Sequence, residues 1–373
     1  MRNRLSLYYS KLATSLKKVV RFGGKRFKAY WRKNFWHKLV VIITCLLVIT
    51  IGGMYGIARW YIAQNSSKPY ILGTSFIPAY AESLGLDPKQ TMDALIKDVG
   101  VKHFRLVSYW DQMEPQKGQY DFSLLDWQFQ KAEAAHAKIT LSLGLRQPRW
   151  PECHMPTWAD SEPVSQWQPQ LQDYIAQVVN RYKNSPALDS YQVENEYFLK
   201  GFGTCTNFDR SRLVSEYNLV KKLDPVHTAI VARSNNALGV PLGNPQPDEF
   251  GISIYKRVWD ASVTHRYLEY PFPAWFYAFV AGAQKIVTGK DMIIHELQAE
   301  SWSPSGEPLS QLSLNEANKS FNAQRFVDRL KFAKGTGMRE VYLWGSEYWY
   351  YRLVHQNDPS LWNVAKDAFH QQQ

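Results

Sequence analysis

Apolar and polar positions follow two regimes along this chain, and each predicts a different kind of element. From Leu39 to Ala58 twenty residues pass without a charge, rich in Val, Ile and Leu. At 1.5 Å per residue such a helix is about 30 Å long, the thickness of the hydrocarbon core of a bilayer. Trp31, Phe35 and Trp36 flank one end and Trp60 and Tyr61 the other, as aromatic residues do at membrane interfaces. The apolar stretch of a signal peptide is shorter, and no small-residue cleavage site stands out after Ala58. The pattern therefore predicts a transmembrane helix over 39–58, followed by a short polar linker over 59–69.

Beyond residue 70, short and nearly continuous apolar runs alternate with helical periodicity. The runs cover 70–76, 103–108, 139–145, 190–194, 228–232, 250–255, 292–296 and 340–344. Runs of that kind suit strands buried on both faces, as in a parallel sheet. Between them, Asp87 is placed to cap a helix that starts at Pro88 and stops at Gly100. Ser313-Leu314-Asn315-Glu316 is a capping box opening a helix to about Lys334, before Gly335. Further helical patterns cover 124–137, 164–183, 210–223, 273–287 and 360–371. Pro, Gly and Asn dominate between the fifth and sixth runs, where a full helix is not expected. Eight strand/helix pairs in about 300 residues predict an α/β fold, a (β/α)8 TIM barrel over 70–373. The rival, an open doubly wound sheet, would favour a glycine fingerprint after the first strand. Gly73-Thr74-Ser75-Phe76 does not supply one.

Charge changes the picture only once it is located. The net charge is +11, with 44 basic residues. Residues 1–38 hold 12 of those and no acid, which leaves 32 basic against 33 acidic residues elsewhere. The basicity belongs to a tail and says nothing about the partner of the main domain, for which no nucleic acid is expected. Under the positive-inside rule the tail 1–38 is cytoplasmic and 59–373 lies outside, in a single-pass protein of the cell membrane. Its partners are then the lipid bilayer, through 39–58, and a substrate. Cys45 lies in the span. Cys153 and Cys205 are both outside, where a disulfide between the loops after the third and fourth strands is open. A zinc site from Cys153, His154 and Cys205 matches no ligand spacing. Asn65 and Asn318 stand in Asn-X-Ser sequons.

Chemistry collects at the strand ends. The second strand carries Arg105 and leads to Trp110; the third runs into Arg146, Arg149, Trp150 and Glu152. The fourth reaches Glu194, Asn195 and Glu196, the sixth Tyr255, the seventh Glu296 and the eighth Trp344. One glutamate at a strand end is ordinarily a solvated loop residue, and a tryptophan is ordinarily packing. Six such ends at one rim of a barrel are another matter. Cleaving a glycosidic bond takes one carboxyl that gives a proton to the leaving oxygen and a second that attacks the anomeric carbon.

The Asn195-Glu196 pair, Glu296, Arg105, Tyr255 and Trp344 together resemble the clan A retaining glycoside hydrolases, without fixing a subfamily. Trp110 to Phe122, with Glu114-Pro115, Gly118 and Tyr120-Asp121-Phe122, is similar to a segment of β-galactosidase-like and xylanase-like members. The resemblance implies Glu196 as acid/base and Glu296 as nucleophile. It also implies that Arg105 and Tyr255 hold the nucleophile, and that Trp344 floors the sugar site. Asn195 next to the acid would contact the sugar hydroxyl beside the reaction centre. Trp110, Trp150 and Trp302 are further candidates for stacking on sugar rings. Glu300 is the alternative nucleophile. Glu194 rivals Glu196, because strand parity puts both on one face. The expectation is a membrane-anchored retaining β-glycosidase acting on an oligosaccharide, polysaccharide or glycoconjugate by double displacement, with no cofactor or metal. The alternatives are a catalytically inactive carbohydrate-binding or envelope scaffold, and an envelope transglycosylase.

Overall fold

The computed structural model describes residue 31 and residues 34–233, 243–304 and 306–371. Two compact units divide at Gly56, the first ending there and the second running Ile57–Gln373. Nearly all of the basic tail lies outside the described residues. The helix Phe35–Asn65 has a mean hydropathy of 2.4 over its most apolar stretch. It is the one helix among the described residues that is long and apolar enough to cross a membrane.

That helix continues well past Ala58, and residues 59–65 are not a free linker. In the second unit Ala58, Tyr61 and Asn65 are buried. Two glycines leave the room: a Cβ on Gly282 would stand 2.9 Å from the Ile57 side chain, and one on Gly337 2.9 Å from that of Ile62. Tyr61, expected at a membrane interface, packs instead by Met292 at the base of the barrel. Asn65, a sequon residue, is buried and donates to the Tyr61 carbonyl at 3.2 Å.

Eight strands close into a parallel barrel. They are β1 Ile71–Ser75, β2 His103–Leu106, β3 Lys138–Leu143, β4 Leu188–Val193, β5 Thr228–Arg233, β6 Glu249–Ile254, β9 Asp291–Gln298 and β10 Glu340–Trp344. All eight expected runs are strands. Between β6 and β9 the chain adds an antiparallel hairpin, β7 Arg257–Asp260 and β8 Arg266–Glu269, which the apolar pattern did not announce. Its strands are short, β7 half-buried and β8 mostly exposed, so they lack the apolar run that marks the others.

The helices follow their punctuation. Asp87 accepts from the Gln90 amide at 2.8 Å, and the helix it caps ends in a π turn, Leu95–Val99, before left-handed Gly100. Ser313 accepts from the Glu316 amide, but the helix expected from there to Lys334 is two. Leu314–Ser320 stops at the extended Phe321, and Ala323–Gly335 starts afresh under a cap from Asn322. The helix Ser346–His355, directly after β10, was not expected. The segment between β5 and β6 that lacked helical signals falls largely outside the described residues.

The main apolar core lies between the barrel wall and its helices. Each fully buried Val, Leu, Ile or Phe there contributes about 1.5–3 kcal/mol relative to exposure. The barrel interior is built differently. Tyr342, Ile230 and Ile293 form a small apolar floor. Gly73 gives Tyr342 its space, since a Cβ there would lie 2.6 Å from the ring. The Tyr342 hydroxyl meets Thr140 at 2.7 Å, and Thr140 meets Ser190 at 2.8 Å. Above that floor, toward the ends of the strands, the interior is a charged network.

Candidate active site

Arg105 is the centre of that network. The second strand points its side chain inward, where it is almost fully buried. Its Nε donates to Gln192 Oε1 at 2.7 Å and its Nη2 to Asn195 Oδ1 at 2.9 Å. Its Nη1 donates to Glu296 Oε1 at 2.8 Å and reaches Ser75 Oγ at 3.3 Å. A buried guanidinium of this kind is tolerated because all three nitrogens meet acceptors, one of them a carboxylate. Tyr255 donates its hydroxyl to the other Glu296 oxygen at 2.7 Å. Glu296 therefore has a donor on each oxygen.

Glu296 reaches this place through an irregularity in β9. Ile294 pairs with Ile252 on β6, but Ser253 pairs with Glu296, so His295 is an extra residue. A bulge re-aims the side chains of a strand. Here the neighbours His295 and Glu296 both bring an atom within 4.8 Å of a Glu196 carboxyl oxygen, which plain alternation would forbid. His295 takes the space over Gly251, where a Cβ would stand 2.8 Å from Nδ1. Its Nε2 lies 3.1 Å from Ser253 Oγ, and Ser253 hydrogen-bonds Glu196. Burial, then the positive charge of Arg105, hold the imidazole neutral, well below its usual pKa.

At the end of β4 the chain turns through two left-handed residues, Glu194 at φ 59° and Glu196 at φ 41°. The shared face expected of these two glutamates is lost. Glu194 points away from the cavity and pairs with Arg212 at 2.6 Å, while Arg212 also holds Glu216 at 2.7 Å. The Leu145 and Arg146 amides donate to Glu194 as well. Glu196 turns into the cavity. Its carboxyl is pushed up to about 8, first by burial and then by the charges of Glu296 and Glu152. One carboxyl oxygen of Glu196 and one of Glu296 lie within 4.8 Å of each other.

The cavity between them is about 360 Å³, lined by Arg149, Trp150, Glu152, Glu196, Tyr255, Glu296, Glu300, Trp302 and Trp344 among others. Trp150, Trp302 and Trp344 thus line it as expected of stacking residues, although Arg149 already lies 4.4 Å from the Trp344 ring. Trp110 does not. It is fully buried, with its Nε1 bonded to Glu114 at 2.7 Å and its ring edge-on to Trp158. Its segment serves the packing of the loop after β2. Asn195 touches the site through both ends of its amide, Arg105 and Gln192 on Oδ1 and Glu152 on Nδ2 at 3.1 Å. Glu300 lines the cavity but is held by Tyr80 at 2.8 Å and Arg149 at 3.3 Å. Cys153 and Cys205 are joined by a disulfide.

Two groups, Ser253 and His295, escaped the sequence reading, and a third, Glu152, was placed at the rim without a role. Glu152 is a third buried carboxyl, raised to about 7 chiefly by burial and held against Arg146 at 3.5 Å. Ser253 and His295 back Glu196. Ser253 stands two residues before Tyr255, and the period of a strand puts it on the same inward face; that was the available signal. Glu196, His295 and Glu296 also offer one donor atom each within 4.8 Å, a set that could hold a divalent ion. Arg105 and Tyr255 already take both Glu296 oxygens.

Residues 88–226 match the model of a family described as beta-galactosidase. The chain resembles the clan A glycoside hydrolases. Its closed eight-stranded parallel barrel matches the TIM-barrel fold. Xylanase 10B from Thermotoga maritima superposes with a TM-score of 0.52 at 14% identity, over 83% of this chain and 98% of the xylanase. A cold-adapted beta-galactosidase from Rahnella sp. R3 gives 0.51 at 13% identity, over 82% of this chain and 57% of that one. Probable mannan endo-1,4-beta-mannosidase F of Aspergillus flavus is 32% identical over 96 residues, 26% of this chain and 19% of the mannosidase. The match to mannan endo-1,4-beta-mannosidase A of Podospora anserina is 32% over 84 residues, 22% and 21%. The matched part thus spans about a fifth of the length of these mannosidases.

Proposed function

We propose that the barrel domain is a retaining β-glycosidase, displayed outside the cell on the helix Phe35–Asn65, with the basic tail in the cytoplasm. The observation that carries the reading is the pairing of Glu196 and Glu296 across one cavity, with an oxygen of each within 4.8 Å. Retaining glycosidases keep their carboxyls about 5–5.5 Å apart, whereas inverting ones leave about 6.5–9.5 Å for a water. Glu296, steadied by Arg105 and Tyr255, attacks the anomeric carbon as the bond to the leaving oxygen breaks. Glu196, still protonated at neutral pH, gives its proton to that oxygen. In the second half Glu196 takes a proton from water, which displaces Glu296 and releases the sugar. Asn195 and the tryptophans Trp150, Trp302 and Trp344 position the substrate, a β-linked glycan or glycoconjugate. The disulfide between Cys153 and Cys205 suits an extracytoplasmic domain.

The test is trapping with 2-deoxy-2-fluoro β-glycosides of galactose, glucose, mannose and xylose, followed by mass analysis of the digest. One sugar should add to the peptide that contains Glu296, and to none in Glu296→Gln. A label on Glu300 would move the nucleophile there; turnover of every probe without a covalent adduct would sink double displacement.

A further inference from the structure

The loop after β3 and the loop after β4 are bound into one platform. The Asn195 amide donates to the Arg146 carbonyl at 2.7 Å and the Thr204 amide to the Pro151 carbonyl at 3.0 Å. Arg146 Nη1 donates to the Phe202 carbonyl at 2.9 Å, and the Cys153–Cys205 disulfide closes the pair. Gly203, at φ 84°, lets the second loop lie directly on Glu152; a Cβ there would stand 2.7 Å from that of Glu152. From this double loop two aromatic rings project, Trp150 and Phe202, with centroids 6.0 Å apart at 72°. They are 63% and 40% exposed, while the other tryptophans of the cavity are largely covered. Two large aromatics on a firmly tied support, left bare beside Glu196, form a prepared stacking surface.

We infer that Trp150 and Phe202 form the subsite for the sugar ring on the leaving-group side of the scissile bond, and that the Cys153–Cys205 strap holds that subsite in place. The inference rests on the proposed role of Glu196. The group that protonates the leaving oxygen must border the ring carrying that oxygen; Glu196 and Phe202 line the cavity from the loop after β4, and Trp150 lines it from the loop after β3 that is tied to it. Tyr255, Trp302, Trp344 and Glu296 line it from β6, β9 and β10. The occupant is a pyranose ring rather than a lipid chain. Of the cavity-lining residues on the β3 and β4 loops, Trp150, Phe202 and Leu199 are apolar, whereas Arg149, Glu152 and Glu196 are charged. A sugar presents that mixture, with C–H faces for the rings and hydroxyls for the rim.

The test uses the full chain in detergent. Hydrolysis of β-glycosyl fluorides, whose leaving group is one atom, is compared with that of β-linked disaccharides of the same sugars. Trp150→Ala should lower the ratio of kcat/KM for disaccharide over fluoride about tenfold. Phe202→Ala should lower it less, and Trp150→Phe should retain most of it. Paired Cys153→Ser and Cys205→Ser should move the ratio in the same direction. An unchanged ratio in Trp150→Ala overturns the subsite, and an unchanged ratio without the disulfide overturns the strap. Calorimetry in a Glu296→Gln background reads the subsite without turnover, using di- and trisaccharides against the monosaccharide. A preference for the longer ligands that Trp150→Ala abolishes supports the inference, even if no wild-type turnover is found and the hydrolase reading falls. Absence of that preference, or a Trp150 dependence confined to alkyl and aryl glycosides, overturns it.

Discussion

At the end of β4 the chain leaves the strand through left-handed residues, whereas at the end of β9 it stays in the strand and takes in an extra one. The first device separates two glutamates that alternation would have placed together. Glu194 goes to Arg212 behind the barrel wall and Glu196 to the cavity. The second device joins two neighbours that alternation would have separated, His295 and Glu296. Left-handed non-glycine residues cost about 1–3 kcal/mol each. At β4 the buried contacts of Glu194 with Arg212 and two backbone amides are positioned to offset that cost. Side-chain parity is thus a sound guide within a strand and fails at its end, where the chemistry lies.

The contrast between the two glutamates of β4 can be broken most sharply by activity. Glu196→Gln should slow hydrolysis of β-linked disaccharides by about 10²–10⁴-fold, the usual worth of a general acid/base. Glycosyl fluorides, whose departure needs little protonation, should form the covalent intermediate far less affected. Equal loss on both in single-turnover measurements would remove Glu196 from the acid role.

Glu194 should show the opposite profile. Glu194→Ala leaves Arg212 buried beside Glu216 alone, and breaking such a pair costs about 3–5 kcal/mol of stability. Denaturant unfolding of the variant measures it. A variant as stable as the parent would show that the left-handed turn at β4 does not depend on this ion pair.

The smallest effect links the two strand ends through charge. Glu196 is held up to about 8, and its proton is needed for the first step. Activity should therefore fall as pH rises through about 8. Because the Glu296 charge is one cause of that elevation, Glu296→Gln should lower the Glu196 titration when followed by carbon-detected NMR. A titration that stays in place or rises would mean that burial alone governs Glu196.

Much of the architecture was legible because barrel strands are buried on both faces and their apolar runs need no partner to be recognised. The hairpin β7–β8 was not, since its partly to mostly exposed strands carry no such run. The split at Phe321 was hidden because Asn322 caps a new helix within a pattern that stays periodic. Trp110 shows the same limit at the site. A tryptophan after a strand is compatible with stacking on a sugar or with filling a gap beneath a loop, and only the position of Glu114 and Trp158 decides. Glu152 was placed at the rim but given no role, because its contact with Asn195 joins the loop after β3 to the loop after β4.

The sequence by itself determined the repeating strand and helix and the apolar helix before it, because these depend on local periodicity; Arg105, Asn195, Glu196, Tyr255 and Glu296 were marked by their places at strand ends and by the resemblance of their motifs. Only the tertiary structure decided that Glu194 is drawn to Arg212 while Glu196 enters the cavity, how His295 and Glu296 both come within reach of Glu196, and which tryptophans face the cavity. Those outcomes depend on two backbone conformations, a bulge and a left-handed turn, that are held by contacts between residues distant in the chain.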